Sequence, residues 1–289
     1  MHRGSISTRL LVALALVAPL ACLGAELAPA AAASEPASAA AAAEMSPVRR
    51  WERLTGIDTS GWRLMQEAPT LLVFRRPDGI FVQLDVLARR ADHDPYLYDQ
   101  LQAQDFFRDD ARRQKAGLVE VRVQHMAHGT FVLVTTKAKL GDISPQQPDG
   151  LANAYTMVAV FPMAPAVGEI RLFAVEGQPS GMREAIVFAA RHASGKPEST
   201  SAMTRHDPYD ARFDATATYM DSDARQWDRG TPWHPLTRIR ALMPQLMLDS
   251  KLADVPQTVV ADLAAESAAN AARAAADAAA NAAASAASR

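Results

Sequence analysis

Two histidines three positions apart, His125 and His128, sit where the chain between residues 118 and 138 turns back on itself, and with His93 or Asp94 nearby they are the candidate metal pair. Zinc asks for three or four such ligands and an orienting outer shell, so two on a turn make the case only with partners from elsewhere. His206 with Asp207 and Asp210, or His234 with Asp228, supplies the other chemistry: an imidazole base with a carboxylate to orient it, as acid/base hydrolysis uses. No nucleophile accompanies either pair in sequence. The chain contains no G-x-S-x-G, G-x-G-x-x-G, phosphate-loop or H-E-x-x-H motif, and its single cysteine, Cys22, lies in the N-terminal segment. No metal, cofactor or catalytic residue is therefore assigned.

The elements that would position these residues follow from periodicity. In residues 118–124, Val119, Val121 and Val123 alternate with Glu120, Arg122 and Gln124, the period of a strand with one buried and one wet face. A turn over 125–129 with Gly129 leads into 130–136, apolar on both parities, which suits a strand covered on both sides and predicts a central place in the sheet. Short strands are expected at 62–65, 71–75 and 80–87. A helix is expected over 94–115, carrying Leu97, Leu101, Phe107 and Ala111 and ending before Gly117. After a polar loop at 141–150 come strands at 154–161 and 169–175. A helix over 180–192 then places Met182, Ala185, Ile186 and Ala189 on one face. Strands in runs joined by tight turns predict an α+β domain, a mainly antiparallel sheet with packed helices.

This order of elements over residues 61–193, beginning at Gly61-Trp62, resembles the PsbP-like superfamily. The resemblance rests on element order and carries no functional residue across. It implies an accessory or assembly protein that binds partners, generally without catalysis.

The flanks are of different character. Residues 1–25 read as an export signal, with Arg3 and Arg9 ahead of the short apolar run 10–18. Cys22 after Pro19-Leu20-Ala21 offers lipidation as the alternative processing route. Residues 26–45 are an Ala/Pro/Ser-rich linker, and Val48, Trp51 and Leu54 predict a short helix that opens the sheet domain, 46–195. Residues 196–250 form an arm in which Asp and Arg interleave with aromatics. Tyr209, Phe213, Trp227, Trp233 and Arg238 are its candidate partner-binding residues, because Tyr, Trp and Arg dominate interface hot spots. The same anchors would equally tie the arm over its own domain. The arm ends in a helix with Leu236, Ile239, Met243 and Leu246 on one face, which Pro244 should kink or stop. Residues 251–289 are an Ala-rich tail, helical or disordered, with polar residues repeating every three or four positions from Asp262 to Ser288.

A formal net charge of −2 excludes a nucleic-acid partner held by bulk charge, and a membrane contact is expected only if Cys22 is lipidated. The sequence thus points to an exported, periplasmic or secreted envelope protein that binds a protein partner. The alternative is a metal-dependent or acid/base hydrolase of an envelope substrate.

Overall fold

Val82, Leu84, Val86, Ile170 and Leu172 are almost completely removed from solvent, and they mark the middle of a single antiparallel sheet. The computed structural model describes residues 56–68, 70–88, 94–126, 129–140, 152–163, 166–177, 179–194, 207–209 and 219–249, with 265, 268–269, 272–273, 276 and 279 of the tail. The export signal with Cys22, the linker, the helix expected at 46–54 and the loop at 141–150 lie outside the described residues.

The described strands are β1 (Arg63–Ala68), β2 (Leu71–Arg75), β3 (Phe81–Ala88), β4 (Gly117–Met126), β5 (Gly129–Lys139), β6 (Asn153–Met163) and β7 (Ala166–Val175), in the order β1-β2-β3-β7-β6-β5-β4. Helices α1 (Asp94–Tyr98) and α2 (Gln100–Arg113) carry the chain from β3 to the far edge, from which β4 to β7 return by hairpins until β7 pairs with β3. The α+β architecture is the one the strand runs predict. Gly168 lies opposite Phe161, and a Cβ there would collide with the Phe161 ring, so the glycine gives that buried ring its place over the backbone.

The hairpin of β4 and β5 is not central: β4 is the edge strand and β7 occupies the middle. The apolar run of β5 is nevertheless buried on both faces, with Val132 and Val134 toward α1 and α2 and Phe131 and Leu133 toward the opposite core. Double burial reports the layers above and below a strand, not its rank within the sheet. The turn is also tighter than expected, since Met126 pairs with Gly129.

Asp99 divides the first helical segment. Its extended backbone and its carboxylate, which accepts the Gln102 N–H at 2.8 Å, make it the N-cap of α2. The altered phase leaves Leu101 at 71% exposure instead of in the core. α2 ends at Arg113 with Gln114 as its C-cap, and the left-handed residue that follows is Lys115, φ 56°, two residues before Gly117.

Helix α3 (Met182–Ala193) is rotated relative to its expected orientation. Arg183, Glu184 and Val187 face inward, while Met182 and Phe188 are 41% and 42% exposed and Ala185 and Ala189 are solvent-facing. Helix α4 (Pro235–Asp249) buries the expected face, Leu236, Ile239, Met243 and Leu246, against β6 and β7. It runs through Pro244 to Asp249 without stopping. No described helix is long and apolar enough to cross a membrane.

Candidate functional site

The inward face of α3 is polar because the segment in front of it supplies matching groups. Two 3-10 turns, Asp221–Asp223 and Arg225–Gly230, form a strap between the sheet and α4. Arg183, 0% exposed, spends all five guanidinium N–H groups on the strap and α4: on the carbonyls of Ser222 and Ala224, on Asp228 Oδ1 at 2.7 Å, and on the hydroxyls of Thr231 and Thr237, each at 2.7 Å. A buried guanidinium is tolerated only with this degree of satisfaction.

Lys137 reaches the strap from β5. Its ammonium donates to both oxygens of Asp223, at 3.1 and 3.2 Å, and to Glu184 Oε1 at 3.4 Å, and it lies 5.5 Å from the centre of the Tyr155 ring. Asp223 is fully buried and also accepts the Met220 N–H, which closes the first turn of the strap. On β4, Glu120 accepts from Arg225 at 2.7 Å and pairs with Arg122 and with Arg240 of α4. A bulge between Leu118 and Glu120 turns this carboxylate inward, although alternation assigned it to the wet face.

A second buried cluster lies at the start of α4. His234 precedes Pro235 and caps the helix, with Nδ1 accepting the Leu236 N–H at 3.3 Å and Nε2 facing Glu176 Oε1 at 3.1 Å. Nδ1 as acceptor fixes Nε2–H as the donor to Glu176. Glu176 Oε2 accepts the backbone and side-chain N–H groups of Asn153 at 3.0 and 2.9 Å, and the Tyr155 hydroxyl donates to Oε1 at 3.4 Å. Burial pushes the Tyr155 phenol up, and the carboxylates of Asp223, Glu176 and Glu184 add to the shift.

Burial also pushes the Glu120 and Glu176 carboxyls up, but in each the paired donors prevail: Arg225, Arg240 and Arg122 around Glu120, and His234, Asn153 and Lys137 around Glu176. Both carboxyls are held below their usual values. The unfolded chain therefore binds these protons more tightly. Their stabilisation is complete above the ordinary carboxylate range and is lost as pH falls through it toward the lower folded values. The urea midpoint is expected to hold from pH 7 down to about pH 5 and to fall below that. Circular dichroism across that range checks it, with Glu120→Gln showing a lower midpoint at pH 7 and a shallower fall; an equally steep fall would remove Glu120 from the account.

The expected pair of His234 with Asp228 is not assembled. Asp228 is turned to Arg183 and Arg240, and His234 finds Glu176 instead, because a buried guanidinium draws the nearest carboxylate more strongly than an imidazole does. Asp207 accepts the Tyr209 N–H at 2.8 Å and Arg108 Nε at 3.0 Å, an Asx turn anchored on α2. His206, Asp210 and Phe213 lie outside the described residues, as does His128. His125 is exposed and bonds Thr130 Oγ1 at 3.0 Å. Among the described residues no three His, Cys, Asp or Glu side chains stand together as a metal site.

The arm residues divide by environment. The Tyr209 hydroxyl accepts the Val121 N–H at 2.6 Å and donates to the Val121 carbonyl at 3.1 Å, and the Gln100 amide bonds Val121 O and Val123 N, so two side chains occupy the outer edge of β4. Trp227 is half-buried in the strap. Arg238 donates to the Asp78 carbonyl at 2.6 Å and pairs with its carboxylate at 3.1 Å. Trp233 alone among these described residues stands half in solvent, at 50% exposure, edge-on to His234.

Lys137, Arg183, Glu184, Glu176 and Glu120 were not singled out from sequence. The available signal was charge in apolar surroundings: Lys137 within the doubly apolar β5, and Arg183-Glu184 at the head of a helix otherwise rich in Ala, Ile, Val and Phe.

No protein-family model matches the chain, and no curated protein does. Among solved structures it is similar to cyanobacterial PsbP (CyanoP) from Synechocystis sp. PCC 6803, at 10% identity, with 47% of this chain and 81% of that one covered and a TM-score of 0.28. It is also similar to the Ran-binding protein Mog1p of Saccharomyces cerevisiae, at 11% identity, with 47% and 75% covered and a TM-score of 0.30. The likeness is weak and lies at the level of the fold.

Proposed function

We propose that this chain is an exported accessory or assembly protein that acts by binding a protein partner in the cell envelope, without catalysis, and that Trp233 is the centre of the contact. The observation that carries the reading is the fixed presentation of that indole. Trp233 lies between buried Thr231 and buried His234, with the His234 N–H bonded to the Thr231 carbonyl at 3.1 Å, so the backbone on both sides is immobilised while half of the ring faces water. An aromatic held out in this way loses little freedom when it is covered. The groups suited to acid/base work support the same reading, since His234 and Glu176 are buried and paired with each other, and Lys137 is buried and paired with Asp223 and Glu184. Export rests on the N-terminal charge and apolar run, and Phe213 belongs to the proposed contact by residue type.

In-cell crosslinking and mass spectrometry of the full-length chain is expected to recover a specific envelope protein. Trp233→Ala should lower that recovery by roughly an order of magnitude or more, as a hot-spot tryptophan does, with the melting temperature close to native. Equal recovery by both chains would remove Trp233 from the contact. Retention of the native chain in the cytoplasm on fractionation would remove the envelope.

A further inference from the structure

Two arginines stand side by side with no carboxylate between them. Arg63 of β1 lies directly opposite Arg75 of β2, so their Cβ atoms are about 5 Å apart on one face of the sheet, the arrangement in which like charges repel. Both are exposed, and neither forms an ion pair among the described residues. Elsewhere even exposed arginines are matched, Arg112 with Asp109, and Arg122 and Arg225 with Glu120. The face is the one turned away from α4, since Phe74, the neighbour of Arg75, points into the core that α4 seals. Helices α1 and α2 pack on that face over β4, β5 and β6, toward the opposite edge.

Arg75 is braced for contact. Its guanidinium lies 5.7 Å from the centre of the Phe81 ring, which is next in the same row, and Phe81 leans on Phe173 at 6.3 Å. A guanidinium set on an aromatic ring keeps its N–H groups available and loses little freedom when it is bound. The turn that follows β2 adds charge: Arg76 lies 5.1 Å from the centre of the Trp62 ring and shares the Asp78 carboxylate with Arg238 of α4. This rim therefore sets the guanidiniums of Arg63, Arg75, Arg76 and Arg238 against Asp78, while the exposed Asp58 accepts the Ser60 N–H. In a chain of net charge −2, so concentrated a positive rim is complementary to carboxylates from outside. It shares an end of the sheet with Trp233. Arg238 bonds the turn after β2, and His234, just ahead of the same helix, bonds Glu176 just after β7.

We infer that Arg63 and Arg75 take the carboxylates of an aspartate- or glutamate-rich segment of the partner protein, beside the Trp233 contact; the existence of that partner rests on the function proposed above, and the docking chemistry does not. Fluorescence anisotropy of a labelled hexaglutamate peptide with the full-length chain reads the surface without the partner. Binding that weakens as salt is raised is expected, and the double change Arg63→Gln and Arg75→Gln should weaken it about tenfold. Its melting temperature should be unchanged or higher, because a repulsive pair has been removed. Arg112→Glu, on α2 toward the opposite edge, changes the net charge equally and should leave the affinity within about twofold. An unbound peptide, equal binding by the double variant, or an equal loss in Arg112→Glu overturns the inference. So does tighter binding through the same two arginines to phosphatidylglycerol vesicles than to the peptide, which would make the ligand a lipid surface. In-cell crosslinking separates this surface from the indole contact, with partner recovery expected to fall in the double variant as well. Recovery undiminished by the double variant but lost with Trp233→Ala overturns the inference and leaves the Trp233 contact standing. Peptide binding with no partner recovered supports the basic surface and removes the proposed function.

Discussion

A chain ending at Ser194 is expected to lose cooperative unfolding. Helix α4 contributes Leu236, Ile239, Leu242, Met243, Leu246 and Met247 to the main core, all buried against one face of the sheet. Fully burying such a side chain is worth about 1.5–3 kcal/mol, so removing six costs on the order of 10 kcal/mol, comparable with the entire stability of a domain at about 5–15 kcal/mol. The truncation also strips Asp223 from Lys137, leaving it only Glu184 at 3.4 Å, and removes every strap and α4 partner from Arg183. Near-ultraviolet circular dichroism and a thermal melt check this. A sharp transition within a few degrees of the native chain would show that residues 56–194 are a self-sufficient domain. The same reasoning makes truncation unsuitable for testing partner binding, for which Trp233→Ala is the cleaner change.

Arg183→Leu is expected to produce the largest loss among single substitutions. The leucine leaves the Asp228 carboxylate, the Thr231 and Thr237 hydroxyls and the Ser222 and Ala224 carbonyls without their shared donor. Removing one partner of such a buried set costs about 3–5 kcal/mol. Arg183→Lys should recover only part, because an ammonium offers three donors from one point where the guanidinium offers five in a planar fork. Urea denaturation of the three proteins reads the order directly, native above lysine above leucine. A loss below about 1 kcal/mol for leucine would mean that the strap repacks around the gap.

These two expectations divide the chain into what could be read from its residues and what could not. Strand existence was legible from apolar runs and from alternation: β2, a continuous apolar run, begins and ends where expected, and β3, which alternates, is displaced by one residue. The buried stripe of α4 was legible as well, since Leu236, Ile239, Met243 and Leu246 repeat at helical spacing and the sheet offers an apolar surface to meet them. Helix α3 shows where such reading fails. Its apolar stripe is as regular, but the strap and β5 present Asp223, Asp228 and Lys137 at that place, and pairing Arg183 and Glu184 with them outweighs hiding Met182 and Ala185. Periodicity locates a face and says nothing about what it will meet.

The candidate site is non-local throughout. Glu120 with Arg225, Lys137 with Asp223, and Glu176 with His234 join residues separated by 105, 86 and 58 positions. No short spacing in the chain encodes them. The sequence by itself determined the α+β class and the helix that seals the main core, because those follow from local periodicity and apolar burial. Only the tertiary structure decided that residues 221–230 of the arm are a strap locked over the sheet, that Asp228 serves Arg183 in place of His234, and that the apolar face of α3 looks outward. Each of those outcomes is set by which charges must be paired once water has been excluded.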